Sequence, residues 1–287
     1  MKLSTAITRF HTQLRADGKS ERTRQAYLRD LRKLRCWLGR DVSVSSVTPD
    51  NLARFLVAQT ANGSKAPLSV NRTKTALRVF FRFLTDADYI TENPARLIRS
   101  TPADRRMPSY LSTDEARRLV ATISGSKSTV ASRDHVMFSL LLGTGIRLSS
   151  LVALDVGDVN LPQRSIAITA KGGRKDTVFL SAKLCRFLAP HIKAHAATDP
   201  APLFSSLRAS RLCARQVQLR LQHWLKAAGI TRQLSVHSLR HTFATRLYRQ
   251  TGDLRLVQRA LGHRHIATTE IYARVEDAAL RKAIASM

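Results

Sequence analysis

The residues best equipped for chemistry in this chain lie far apart, yet their types and order make one set. Toward the end of the sequence Tyr272 closes the run Leu261-Gly262-His263-Arg264-His265-Ile266-Ala267-Thr268-Thr269-Glu270-Ile271-Tyr272. Upstream stand His237-Ser238-Leu239-Arg240-His241, then Lys171 in a Gly-rich turn, then Arg147 in Thr144-Gly145-Ile146-Arg147. Together these groups could attack a phosphodiester. A tyrosine oxygen is the nucleophile, and two guanidiniums, Arg147 and Arg240, fork onto the phosphate oxygens and hold them. Lys171 supplies a proton to the leaving group, and two histidines assist. No cluster of carboxylates stands ready for Mg²⁺, so neither a metal nor another cofactor is expected.

Each residue also has a plainer reading. His237, Arg240 and His241 fall on one face of a helix and Leu239, Phe243 and Leu247 on another, as on any amphipathic surface helix. His237 and His241 have the i, i+4 spacing of a zinc-protease helix, but Ser238 stands where that motif needs Glu. Lys171 could be an ordinary turn lysine, and Tyr272 could pack its ring against a core. Arg147 gains weight from its place after two glycines at a helix start, where backbone N–H groups also face anions.

Composition narrows the partner. The 287 residues suffice for two domains and a sizeable core, and a 44% hydrophobic fraction fits globular folding. A net charge of +28, with Arg far ahead of Lys, attracts polyanions and suits clamping of a phosphate backbone. The basic residues are spread through amphipathic segments rather than gathered in lysine-rich tails. Cys36, Cys185 and Cys213 are odd in number, far apart and without a C-x-x-C, which reads as reduced thiols in a cytoplasmic protein. No signal-peptide pattern or membrane-spanning run is seen, so no membrane partner is expected.

The elements that must position the set are mostly helical. Leu3, Ile7, Phe10 and Leu14, then Tyr27, Leu31, Leu34 and Leu38, keep helical spacing. Thr48-Pro49-Asp50 reads as a helix start before Leu52, Phe55 and Leu56, and Ser69 as the cap of a helix carrying Leu77, Phe80, Phe81 and Leu84. This four-helix unit occupies 1–99. A polar stretch with two prolines, 100–109, reads as an extended linker. The remainder, 110–287, opens on Ser112-Thr113-Asp114-Glu115, a helix-start signature. An apolar helix is expected from Ala131 to Leu142, broken by Gly143-Thr144-Gly145. Ser165–Ala170 and Thr177–Leu180 read as two strands joined through Lys171-Gly172-Gly173-Arg174. The fold class is mainly α with one small antiparallel sheet. A last helix past Tyr272 shows an apolar stripe of Ala279, Leu280, Ala283 and Ile284.

In this order the motifs resemble the tyrosine recombinases, enzymes that break and rejoin DNA. The matching pieces are Thr144-Gly145-Ile146-Arg147, Ala170-Lys171-Gly172, His237-x-x-Arg240-His241-Thr242-Phe243-Ala244-Thr245, and Leu261-Gly262-His263 with Thr268-Thr269-x-x-Tyr272. The resemblance covers nearly the whole chain. It implies an N-terminal core-binding, SAM-like domain that clamps DNA and a C-terminal catalytic domain. The implied catalytic residues are Arg147, Lys171, His237, Arg240, His263 and the nucleophile Tyr272, with His237 as base and Lys171 as acid. It further implies a 3′-phosphotyrosyl intermediate formed without ATP or metal, double-stranded DNA with specific recombination sites as partner, and a tetramer on DNA, either of one chain or with a second recombinase. The tail helix would link neighbouring subunits. The expected place is the cytoplasm, on the nucleoid. With no arm-binding module ahead of the core-binding unit, a simple Xer-like enzyme or that of a mobile element is expected. Two alternatives share parts of this pattern: a type IB topoisomerase, which relaxes DNA as a monomer, and a catalytically silent DNA-binding relative. Two positions depart from the family's usual pattern: Ser150 stands where an acidic residue is common, and Phe179 where Pro is common.

Overall fold

The computed structural model describes residues 1–60, 67–101, 108–169, 175–195, 201–207, 210–262, 269 and 272, excluding the side chains of 67, 68 and 195. The chain divides into two compact units, Met1–Arg105 and Arg106–Met287.

In the first unit, helices α1 (Leu3–Ala16), α2 (Glu21–Trp37), α3 (Pro49–Thr60) and α4 (Pro67–Asp86) enclose one core. The i, i+3, i+4 positions converge there. Leu3, Phe10, Leu14, Leu31, Leu34, Phe55, Leu77, Phe80 and Phe81 are all buried, with the Phe10 and Phe80 rings edge-on at 5.3 Å. Thr48 caps α3 as expected: its Oγ1 accepts from Asn51 N while its own N–H donates to the Asn51 side chain. Ser69 is not a cap, because α4 already begins at Pro67, and proline's fixed φ suits a first helical turn. Asp30, buried on α2, takes a two-pronged bond from Arg72 of α4 at 2.9 and 3.0 Å. Arg22, Arg29 and Arg32 of α2 remain exposed. Ser100 and Thr101, expected to begin a linker, are bonded to Arg78 and Asn71 of α4.

The second unit is built on α6 (Ala131–Thr144), packed by α5 (Thr113–Ser124), α8 (Ala182–His195) and α10 (Val236–Thr251). Ser112 and Glu115 form the expected capping box at the head of α5. From Val136 to Leu142 every α6 side chain is buried. Asp134 is buried too, and its carboxylate accepts from Arg133, Arg220 and the Trp224 indole, the latter two on α9 (Ala214–Ala227). Gly143 does not break α6. The helix ends one residue later, and Gly145 turns the chain with φ +63°. A side chain at 145 would meet Phe243 of α10 at 2.4 Å, so both the turn and the packing require glycine.

Short α7 (Leu148–Ala153) follows, then a sheet of three strands. The pair expected from alternation is present as β2 (Ser165–Thr169) and β3 (Lys175–Phe179), antiparallel in register from Ser165↔Phe179 to Thr169↔Lys175. β3 starts two residues before the expected Thr177. A two-residue strand not foreseen, β1 (Val159–Asn160), pairs with the other edge of β2; it is too short to carry a periodic signal. Helix α11 (Leu254–Leu261) follows α10, and the expected tail helix lies outside the described residues.

Candidate active site

Arg240 enters the site from α10 and is only 4% exposed. Its Nη1 donates to Gly145 O and its Nη2 to Leu261 O, both at 2.6 Å. These carbonyls sit at the C-terminal ends of α6 and α11, where helix geometry leaves acceptors unmatched and partial negative charge gathers. Two helix ends thus hold one guanidinium. Arg147 lies in extended backbone just before α7, and its Nη2 donates to Gly262 O at 3.3 Å. Gly262 caps α11 at φ +59°. A methyl placed on it would come 3.3 Å from Asp176 Oδ2 and 3.9 Å from Arg147 Nη1, so Asp176 of β3 lies beside the residue whose carbonyl Arg147 holds.

Tyr272 is buried against Ala244, Val257 and Leu261. Its N–H donates to Thr269 O at 3.0 Å, and its phenol oxygen lies 3.0 Å from His241 Nδ1. His237, one turn earlier on α10, meets the His241 ring edge to face at 4.5 Å. His237 and His241 open onto a cavity of about 680 Å³ that Ser109, Arg215, Gln218 and Gln222 also line.

The charges act on one another. Burial pushes the Tyr272 phenol up to about 12, partly offset by Arg240. Burial, and then the like charge of Arg147, lower Arg240 to about 10, while Tyr272 acts in the opposite sense. Burial lowers His237 as well, reinforced by Arg240 and then Arg147. At neutral pH the site therefore holds a charged Arg240 beside a neutral phenol.

Of the residues expected from sequence, Arg147, His237, Arg240 and Tyr272 are brought together, while Lys171 and His263 lie outside the described residues. Burial of Arg240 replaces the reading of a surface helix with its polar face outward. Two neighbours were given no role from sequence, His241 against the phenol and Asp176 beside Gly262; a third, Ser150, was noted only as standing where an acidic residue is common. Ser150 is buried, and its Oγ donates to Thr169 O at 3.2 Å, tying α7 to the last residue of β2. His241 had a visible signal, its shared face with His237 and Arg240. Asp176 had none, and the flag on Ser150 did not show its partner, since both contacts depend on tertiary packing.

Residues 109–279 match the model of the phage integrase family, and residues 7–88 match that family's N-terminal SAM-like domain. The chain is 33% identical over 279 residues to tyrosine recombinase XerC of Thermodesulfovibrio yellowstonii, covering 94% of this chain and 91% of that protein. It is 32% identical to tyrosine recombinase XerC 1 of Ralstonia nicotianae, covering 90% and 84%. Among solved structures, the crystal structure of XerA recombinase superposes with a TM-score of 0.55 at 27% identity, covering 99% and 98%. XerH recombinase bound to a palindromic difH substrate reaches 0.76 at 23% identity, covering 91% and 78%, a likeness of fold. With both halves matched and the arginines and tyrosine of the motifs gathered at one place, the chain belongs to the phage integrase family and is a tyrosine site-specific recombinase that breaks and rejoins DNA.

Proposed function

We propose that Tyr272 attacks a DNA phosphodiester to form a 3′-phosphotyrosyl bond and a free 5′-hydroxyl. Arg147 and Arg240 hold the phosphate's non-bridging oxygens as charge grows on them. His263 assists them, Lys171 protonates the departing 5′-oxygen, and His237 belongs to the same site. The energy of the broken ester is kept in the new one, so the reaction needs no ATP, and the guanidinium pair takes the part a metal ion plays elsewhere. The observation that carries this reading is the meeting of Arg240 with Tyr272 in one buried place, where Arg240 holds the Leu261 carbonyl and Tyr272 packs on the same residue.

The partner is duplex DNA carrying a specific site, which the charge of +28 favours. Residues 1–99 and residues 110–287 each contact that duplex. The working form is a tetramer, of this chain alone or with a second recombinase. XerH has been solved on difH and lambda integrase as a tetramer on a Holliday junction, which supports extending DNA binding and assembly to this chain. It acts in the cytoplasm, on the nucleoid; no helix among the described residues is long and apolar enough to cross a membrane. The relatives found are named as recombinases, which favours exchange between sites over relaxation by a topoisomerase.

The test is trapping on a nicked duplex that loses its 5′-hydroxyl fragment on cleavage. The wild-type chain is expected to accumulate covalent adduct. Tyr272→Phe keeps the ring and its packing, so it should bind DNA equally well and form none. A normal adduct yield from Tyr272→Phe rejects the nucleophile.

A further inference from the structure

A base must reach its proton before its pKa matters. In this site the two histidines of α10 face different groups. His237 feels the charges of Arg240 and Arg147. His241 has its Nδ1 3.0 Å from the phenol oxygen of Tyr272, within the range for proton transfer. That oxygen belongs to a side chain only 1% exposed, and His241 is a proton acceptor lying directly against it.

We propose that His241, rather than His237, is the catalytic base that takes the phenol proton of Tyr272; this rests on Tyr272 being the nucleophile. As the phenol oxygen bonds to phosphorus, the O–H electron pair is released to oxygen and the proton passes to Nδ1. The P–O5′ bond breaks, its electrons leave with O5′, and that oxygen takes a proton from the acid assigned to Lys171. Rejoining runs the same transfers backward. Nδ1 accepts only in the tautomer that carries hydrogen on Nε2, so the neutral imidazole becomes imidazolium during attack. Among the described residues, the titratable and charged groups about the pair are His237 and Arg240 on α10 and, farther out, Arg147 before α7, Arg215 on the wall of the cavity that His241 opens onto, and Asp176 on β3 beside Gly262. The three arginines oppose an imidazolium, and the incoming phosphate's negative charge offsets them. Proton transfer is therefore tied to bound DNA.

The experiment uses the full chain and a nicked duplex built on the sequence the protein selects from random DNA. Single-turnover adduct formation is followed from pH 6 to 10 for the wild type, His241→Gln, His237→Gln and Tyr272→Phe. Glutamine can hold the phenol by a hydrogen bond but cannot take its proton. His241→Gln is expected to cleave about 10²–10³-fold more slowly at neutral pH, the scale of general-base catalysis, with a deficit that narrows as pH rises and hydroxide substitutes. Wild-type rates from His241→Gln, or a deficit constant with pH, overturn the assignment. If Tyr272→Phe still forms adduct, the nucleophile itself is wrong; if only His241→Gln is unimpaired, the base alone is wrong. Should the variant fold poorly, ¹⁵N spectra of the wild type decide. Hydrogen on His241 Nε2 with Nδ1 bare is expected, and hydrogen on Nδ1 overturns the proposal.

Discussion

His237 sits where burial and two guanidiniums all disfavour its protonated form, so its ionisation is linked to folding. Its folded pKa lies below the unfolded value of ~6.5, so the unfolded chain binds more protons as the medium turns acidic. The corresponding stability is complete above that value and is lost as pH falls through the window beneath it. His135, lowered by burial and then by Lys183, acts in the same direction. Thermal melts from pH 7.5 to 5 should show falling stability in the wild type and a shallower fall in His237→Gln; parallel curves would remove His237 from this account. At this scale the motifs were legible because they are runs of fixed spacing: Arg240 and Tyr272 were readable without any fold. What Arg240 holds was not, since Gly145 O and Leu261 O are backbone atoms that belong to no motif.

Helices α6 and α9 are joined by one buried carboxylate. Asp134 accepts from Arg220 at 2.6 Å and from Trp224 at 2.8 Å, besides its neighbour Arg133, itself bonded to Ser205 O. Removing a buried charge partner is far costlier than removing an exposed one, because the groups left behind stay desolvated. Asp134→Ala should lose about 3–5 kcal/mol in denaturant melts, whereas Asp114→Ala, whose partner Arg117 is exposed like itself, should change stability by less than about 1 kcal/mol. Comparable losses for both would show that the network adds nothing to the core. Helices with long apolar stripes, such as α1 and α4, were readable in sequence because burial repeats with the helical period. Boundaries were less so. Gly143 looked like a break, yet it stays helical where a side chain would meet Leu184 at 2.7 Å, and Gly145 is the residue whose conformation ends the helix. The Ser150 link to Thr169 was likewise invisible, since its partner is a carbonyl on a strand that sequence alone could not place beside α7.

Over the whole molecule, a charge of +28 makes binding to DNA a competition with salt. The logarithm of the binding constant should fall linearly with the logarithm of salt, with a slope of about −0.9 per phosphate neutralised. If residues 1–99 clamp DNA through the exposed face of α2, replacing Arg22, Arg29 and Arg32 together by Gln should flatten that slope by about 3; an unchanged slope would move the contact elsewhere. Class and architecture were legible at this scale from periodicity and charge, while the third strand was too short to see. The grip on Arg240 has a consequence for how such a chain can diverge. The carbonyls at 145 and 261 are supplied by the main chain, so apart from the glycine that the turn at 145 requires, the guanidinium itself asks for no particular side chain there. An insertion or deletion of one residue is another matter. In α6 or α11 it would rotate the helix end by about 100° and carry the carbonyl away, so packing constrains the letters of these helices while Arg240 constrains their length.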